Sequence, residues 1–377
     1  MAGGHFSGHN PKIMNKAREL TDLTACRALF ALWVFAYHLN LHIQIAKYLG
    51  LLGPVIDRGY LGVDGFFVLS GFILARVDRG IALTRQSLLQ FWGKRLARIY
   101  PVHLGVIFLL GVLFIGGVTY GITPREPDRF GTIALIEHLL LIQGWGVIHH
   151  WAWNYPSWSI STEWAGYLLF PFIVAGLTRF YDMAVVTILP ICFFVLCLIS
   201  FFFGGLNLTF GTSLLRFFPE FLAGAATAIA VPMLADELPG ARFAAVGAAI
   251  ALAFAWAGHD AMTVFGLWLM LYGFGMQGDA EKPETVGQIK PLHALGVISY
   301  SFYMSFAPGE LIASQLFRHL HVAPAAEPLA YAAALSVLTL GLAIVLHVVI
   351  EKPSRIALNR RLDPARAAAL AEGSVPL

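Results

Sequence analysis

The sequence predicts an all-α fold: a polytopic membrane helix bundle of about 10 transmembrane helices, with one interfacial or re-entrant segment near 133–147. Three observations carry this. Hydrophobic residues make up 58% of the chain and charged residues 12%, against about 45–50% and about 25% in soluble domains. Apolar runs of about 20 residues, the length of a helix that crosses about 30 Å of hydrocarbon, recur through the 377 positions. Lysines and arginines gather at the ends of those runs, as the positive-inside rule requires. The expected organisation is a cytoplasmic tail over 1–20, one membrane domain over 21–353 and a cytoplasmic tail over 354–377. The net charge of +3 comes with no basic stretch interleaved with aromatics, so no nucleic-acid partner is expected. Cys26, Cys192 and Cys197 are odd in number, lie in apolar segments and imply no disulfide framework.

The elements follow in order. Residues 1–11 read as a disordered tail, and Lys12, Lys16 and Arg18 place the N-terminus in the cytoplasm. The first span, about 23–46, is too long for a signal-peptide core and is followed by no small-residue cleavage site, so it is expected to be retained as an anchor. Gly53 and Pro54 mark an outer turn, and Tyr60 to Val77 form the second span. A basic cytoplasmic loop follows with Arg76, Arg79, Arg85, Lys94, Arg95 and Arg98. The third span covers about 99–120 and ends outside at TPREPDRFG. The stretch 133–147 contains Glu137, His138 and Gln143, and at about 15 residues it is too short to cross. It is expected to stay on the outer side, followed by Trp151, Trp153, Tyr155 and Trp158 at a membrane–water interface. Further spans fit about 160–178, 184–204, 213–231, 242–258, 261–277, 293–315 and 328–350. This count places Arg179, Arg242, Lys282, Lys290, Lys352, Arg355, Arg360, Arg361 and Arg366 inside. Lys47, Arg58, Arg125, Arg129 and Arg318 are left outside. Counting 133–147 as a span would invert everything after it.

Chemistry is expected where ionisable residues enter the spans, because a charged group at helix centre costs about 2.5–3.5 kcal/mol on insertion scales. Arg27 and His38 stand eleven residues apart on the first span. Eleven steps turn about 1100° and climb about 16 Å, so the two side chains share one face at different depths. His38, Asp64 and Glu163 reach similar depths in the outer half. They are expected to meet in one cavity as a general base with a carboxylate orienting its imidazole; the alternative is three separately satisfied helix-end residues. His38 and His42 have the i, i+4 spacing of a metal pair, but no Glu follows the first and no third ligand is fixed, so no metal is expected. Arg95 and Arg98 are i, i+3 neighbours suited to fork onto phosphates, with purely topogenic charge as the alternative, and Arg27 lies near the same face. Arg216, Glu220 and Glu351 are expected to fix helix packing through buried ion pairs.

The Arg27-x10-His38 helix, GVDGFFVLSGF at 62–72, the Arg95-x-x-Arg98 pair running into IYP, PSWSISTEWAGYLLFP at 156–171, RFFPEFLAG at 216–224, ISYSFYMS at 298–305 and IEKP at 350–353 together resemble the acyltransferase-3 family. The motifs occur in matching order over nearly the whole chain. The resemblance implies a ten-helix membrane O-acyltransferase of the bacterial inner membrane. Such an enzyme takes an acyl group, acetyl foremost, from cytoplasmic acyl-CoA and passes it to a hydroxyl of a glycan or other exported or envelope acceptor. It also implies that Arg27 and His38 are essential and that Arg95 and Arg98 are the family's paired arginines. Phe306 departs from the pattern, since the motif beginning at Tyr300 usually has a histidine there. No soluble esterase-like extension is expected, so the chain would act alone or hand over to a separate protein. The expected partners are membrane lipid, acyl-CoA and the acceptor, and a homo-oligomer is compatible with the pattern. The rival readings are a transporter or flippase, because polar residues in a Gly- and Pro-interrupted bundle also mark translocation paths, and a non-catalytic scaffold or sensor.

Overall fold

The computed structural model describes residues 20–121, 127–147, 150–179, 181–234, 239–279 and 283–362. The expected tail with Lys12, Lys16 and Arg18, together with Arg125, Lys282, Arg366 and everything past 362, lies outside the described residues. Among the described residues there is no strand. The helices are α1 (Thr21–Ile43), α2 (Gly53–Asp57), α3 (Gly62–Asp78), α4 (Arg85–Thr119), α5 (Thr132–Leu139), α6 (Trp158–Arg179) and α7 (Tyr181–Phe203). They continue with α8 (Ser213–Leu234), α9 (Gly240–Ala257), α10 (Asp260–Asp279), α11 (Lys290–Met304), α12 (Phe306–His319), α13 (Pro328–Leu346) and α14 (Lys352–Leu362). Five helical stretches among the described residues are long and apolar enough to cross a membrane by length and composition: Gly59–Asp78, Arg85–Thr119, Tyr155–Arg179, Gly240–Ala257 and Pro328–Leu362. α1 and α8 are of similar length and carry Arg27, Arg216 and Glu220 among their apolar residues.

The short segment after α4 does not cross. The eight residues of α5 rise only about 12 Å. The chain then reverses through Leu141 at φ 56° and a wide turn over 143–147 in which Gly146 takes φ 90°. Hydrogen bonds pin this turn to the starts of α6 and α8: Gln143 Nε2 donates to the Ser157 carbonyl at 3.0 Å, the Gly144 amide to Ser161 Oγ at 3.0 Å, and Ser213 Oγ to the Gly144 carbonyl at 2.5 Å. Irregular backbone survives at membrane depth when protein groups satisfy it in this way.

Two expectations are corrected. The basic loop expected before the third span is mostly helix, because α4 begins at Arg85, where Thr84 Oγ1 caps it by accepting from the Ser87 amide at 3.3 Å. The 35 residues of α4 rise about 52 Å, more than the hydrocarbon needs, so Lys94, Arg95 and Arg98 sit on a rigid rod continuous with the span. The single span expected over 293–315 is bent at Ser305 into α11 and α12. Pro308 explains the bend, since it has no N–H to give the Met304 carbonyl and its ring crowds that oxygen.

Helix pairs approach closely where small residues face each other. A Cβ at Gly71 would fall on the Phe221 carbonyl, and one at Gly224 on the Val68 carbonyl, so α3 and α8 run backbone to backbone. Gly240, Ala244, Gly247 and Ala251 of α9 interleave with Gly266 and Gly273 of α10 in the same manner. At Gly176 of α6, by contrast, a Cβ meets nothing within 4 Å. Gly224→Ala is therefore expected to destabilise the protein by about 1–3 kcal/mol through overpacking. The same change at Gly176 meets no atom and should hold or slightly raise the melting midpoint in detergent, since alanine favours a helix interior over glycine. Equal midpoints for the two variants would contradict the packing described.

Candidate active site

α1 carries two polar clusters, one toward each end. At its C-terminal end His38 Nδ1 lies 2.8 Å from the Val34 carbonyl, one helical turn back. A carbonyl can only accept, so Nδ1 carries the proton and Nε2 keeps its lone pair. The imidazole is packed between the ring of Tyr155, 5.6 Å away, and that of Phe306, 5.4 Å away, with Tyr37 at its edge. It remains half-buried. One turn on, His42 Nε2 lies 3.4 Å from Glu310 Oε1 of α12, and Tyr155 donates its hydroxyl to Glu310 Oε2 at 2.6 Å. Glu310 is the carboxylate whose charge bears on His38.

Arg27 heads the second cluster. Its electrostatic neighbours are Arg98 of α4, Glu351 in the turn between α13 and α14, Glu163 of α6 and Tyr167. Glu163 accepts from Ser70 Oγ of α3 and from Tyr167 Oη, each at 2.5 Å. Glu351 accepts from Ser301 Oγ at 2.6 Å and lies 2.9 Å from His347 Nδ1. Arg27, Arg98, Glu163, Ser70 and Tyr300 are all half-buried rather than sealed, as the lining of an interior cavity would be. Two guanidinium groups are thus balanced by two carboxylates, while Arg95 pairs with Asp78 and lies 5.3 Å over the Phe91 ring.

The structure brings together Arg27 and Arg98, as expected, but not the three outer groups. Asp64 is fully buried and faces Arg216, whose Nη1 lies 3.3 Å from Oδ2. Arg216 also donates to the Leu206 carbonyl and covers the Trp158 ring at 4.9 Å. The Leu206 amide in turn donates to Asp260 Oδ2 at 2.7 Å, and Asp260 is held by Arg58 and Tyr60. Asp64 therefore belongs to a polar spine joining α3, α8 and α10, and Glu163 to the Arg27 cluster. For Asp64 the physical reason is azimuth, since helix arithmetic fixes depth along an axis but not which neighbour a side chain turns toward; for Glu163 it is depth, since Tyr155 stands beside His38 and Glu163 lies eight residues, about 12 Å, further along the same helical stretch. Neither carboxylate is a hydrogen-bond partner of His38, whose orienting partner is a backbone carbonyl.

Sequence reasoning missed Glu310 and Tyr155 beside His38, and it assigned Glu351 to packing. One signal for Glu310 was available, since it is the single acidic residue in the run ISYSFYMSFAPGELIAS, and an ionisable group within a span marks a functional position.

Comparison with known proteins adds a second line of argument. Acyltransferase MdmB of Streptomyces mycarofaciens is 36% identical over 159 residues, 41% of this chain and 38% of the relative's length. O-acetyltransferase OatA of Staphylococcus aureus is 29% identical over 172 residues, 44% of this chain and 26% of the relative. The chain thus spans well under half the length of these curated relatives. No solved structure matches it. The acyltransferase domain family matches residues 20–348, a range that takes in α1 with the groups that face His38, and the chain therefore belongs to the acyltransferase-3 family.

Proposed function

We propose that this chain is a membrane O-acyltransferase that moves an acyl group, acetyl foremost, from cytoplasmic acyl-CoA to a hydroxyl of a glycan or other exported acceptor. The observation that carries the proposal is the His38 imidazole, half-buried, with Nδ1 committed to Val34 and Nε2 free. A hydroxyl is a poor nucleophile near neutral pH, and an imidazole of ordinary pKa about 6.5 is suited to take its proton as the new bond forms. The hydroxyl proton passes to Nε2 while the oxygen lone pair forms the ester bond. The thioester C–S bond breaks, its electron pair stays on sulfur, and the proton moves on from Nε2 to that sulfur. An acyl-histidine formed at the same Nε2 is the rival route.

The second cluster supports the donor half of the reading. Arg27 lies about 16 Å along α1 from His38, a separation that an extended pantetheine arm spans. Arg98 and Arg95 lie on the portion of α4 that reaches the membrane surface, where their planar guanidinium groups suit phosphate oxygens. Phosphates that bind Arg95 would take the place of Asp78. Acetyl transfer accords with the O-acetyltransferase name of one relative. In this reading the protein sits in a bacterial inner membrane with both termini cytoplasmic and the His38 end of α1 facing out.

Three measurements test it. A topology reporter fused after Gly131 or at Tyr155 is expected to read as periplasmic and one after Pro353 as cytoplasmic; a periplasmic C-terminus would overturn the orientation. Arg95→Lys and Arg98→Lys keep the charge but lose the fork, and each should weaken acetyl-CoA binding about tenfold, roughly 1.4 kcal/mol. Binding equal to that of the parent would leave these residues with a topogenic role alone. His38→Ala is expected to reduce transfer about 10²- to 10⁴-fold while donor binding persists. Radiolabelled acetyl trapped on the parent and absent from that variant would favour the covalent route.

A further inference from the structure

We infer that Glu310 is the positioning residue for His38, the anion that offsets the positive charge its imidazole acquires during transfer. The inference rests on the acyl-transfer reading above. It starts from the bend at Ser305, which swings α12 so that Phe306 and Glu310, one turn apart, face the C-terminal end of α1. Phe306 sets its ring 5.4 Å from the imidazole and offers no hydrogen bond, while Glu310 supplies the charge. Its side chain is only 11% exposed, so it is carried at a cost that an apolar residue would avoid.

The alternatives to Glu310 are engaged elsewhere. Asp64 faces Arg216, and Glu163 accepts from Ser70 and Tyr167. The Val34 carbonyl orients the imidazole but brings no net charge. Once Nε2 holds the hydroxyl proton, the ring carries a full positive charge in a site walled by Tyr155 and Phe306, where an opposite charge acts far more strongly than in water. Glu310 is not consumed, since the proton goes on to the departing sulfur. The other titratable groups facing Glu310 or His38 are His42 and Tyr37 on α1, Tyr155 before α6, and Tyr331 on α13. Tyr303 and Arg129 bear on Tyr155. Tyr155 and His42 hold the carboxylate from both sides, which fixes its place beside the base.

Diethyl pyrocarbonate tests this without a known acceptor, because it acylates only unprotonated imidazole nitrogen. The rate of modification at His38, read peptide by peptide against pH in the full-length protein in nanodiscs, gives the midpoint at which Nε2 becomes available. Glu310→Gln keeps the shape and an acceptor for Tyr155 but removes the charge. Its midpoint is expected to fall by about one pH unit or more, since an opposite charge close by favours the protonated ring. Glu310→Asp, which retains the charge a methylene farther off, should shift in the same direction by less and serves if the glutamine variant fails to insert. A folded Glu310→Gln protein with the parent's midpoint, or a folded Glu310→Asp protein whose midpoint rises above the parent's, would reduce Glu310 to a packing role. The parent reading fails separately: acetyl transfer at the full rate by His38→Ala would remove His38 as the base whatever the midpoints show.

Discussion

Inside an apolar bundle every ionisable side chain must find its partner within the protein, because hydrocarbon offers none. Most of the architecture around α1 answers that requirement. Asp22, at the start of the helix, accepts from the Thr285 amide at 2.9 Å and the Gly287 amide at 2.7 Å, tying α1 to the strap that leads into α11. Arg27 stands among Glu163 and Glu351, and His38 finds the Val34 carbonyl and the charge of Glu310. One helix thus collects partners from α6, from α12, from the turn between α13 and α14, and from the strap before α11. Where charges are absent, close packing takes over, and the glycine and alanine interfaces of α3 with α8 and α9 with α10 bring backbones together without side chains between them.

The two clusters differ in a way that suits different tasks. The Arg27 cluster is charge-balanced, two guanidinium groups against two carboxylates, and its members are hydrogen-bonded to hydroxyls from α3, α6 and α11. An anionic ligand entering there displaces an existing partner rather than filling a bare positive patch, so recognition depends on geometry more than on net charge. The His38 cluster is walled by aromatic rings, and its imidazole is tied at one nitrogen only. In the proposed transfer that arrangement leaves the other nitrogen for a proton to arrive at and leave. A buried spine of Asp64, Arg216 and Asp260, bridged through the Leu206 backbone, stands apart from both and holds three helices in register.

What the sequence disclosed was periodicity and depth. The apolar runs gave the helices, the short polar stretch at 133–147 gave a segment that turns back, and the spacing of Arg27 and His38 put them on one face. Rotation about each helix axis was not legible. Asp64 enters its helix at a depth near that of His38 yet turns toward α8, while Glu163 lies at the depth of Arg27, because it is Tyr155, eight residues earlier, that stands beside His38. Pro308 was visible throughout, but the direction of the bend it permits depends on what packs against α12. Glu351 stood in the sequence beside Lys352 and Pro353 and read as a helix end; only the fold shows it against Ser301 and His347. The length of α4 was hidden because basic residues on a projecting helix and on a loop look alike without a partner surface.

The hydrogen bond from His38 Nδ1 to the Val34 carbonyl has a consequence for how this site withstands sequence drift. The acceptor is main chain, and the same oxygen already receives the His38 amide in the ordinary helical pattern. No replacement of the side chain at position 34 removes it. Variants at position 34 report on the packing of a buried valine and not on the group that chooses the tautomer, although that group belongs to the same residue. The tautomer of His38 is inherited from the helix itself, and is lost only by a change that unwinds that turn.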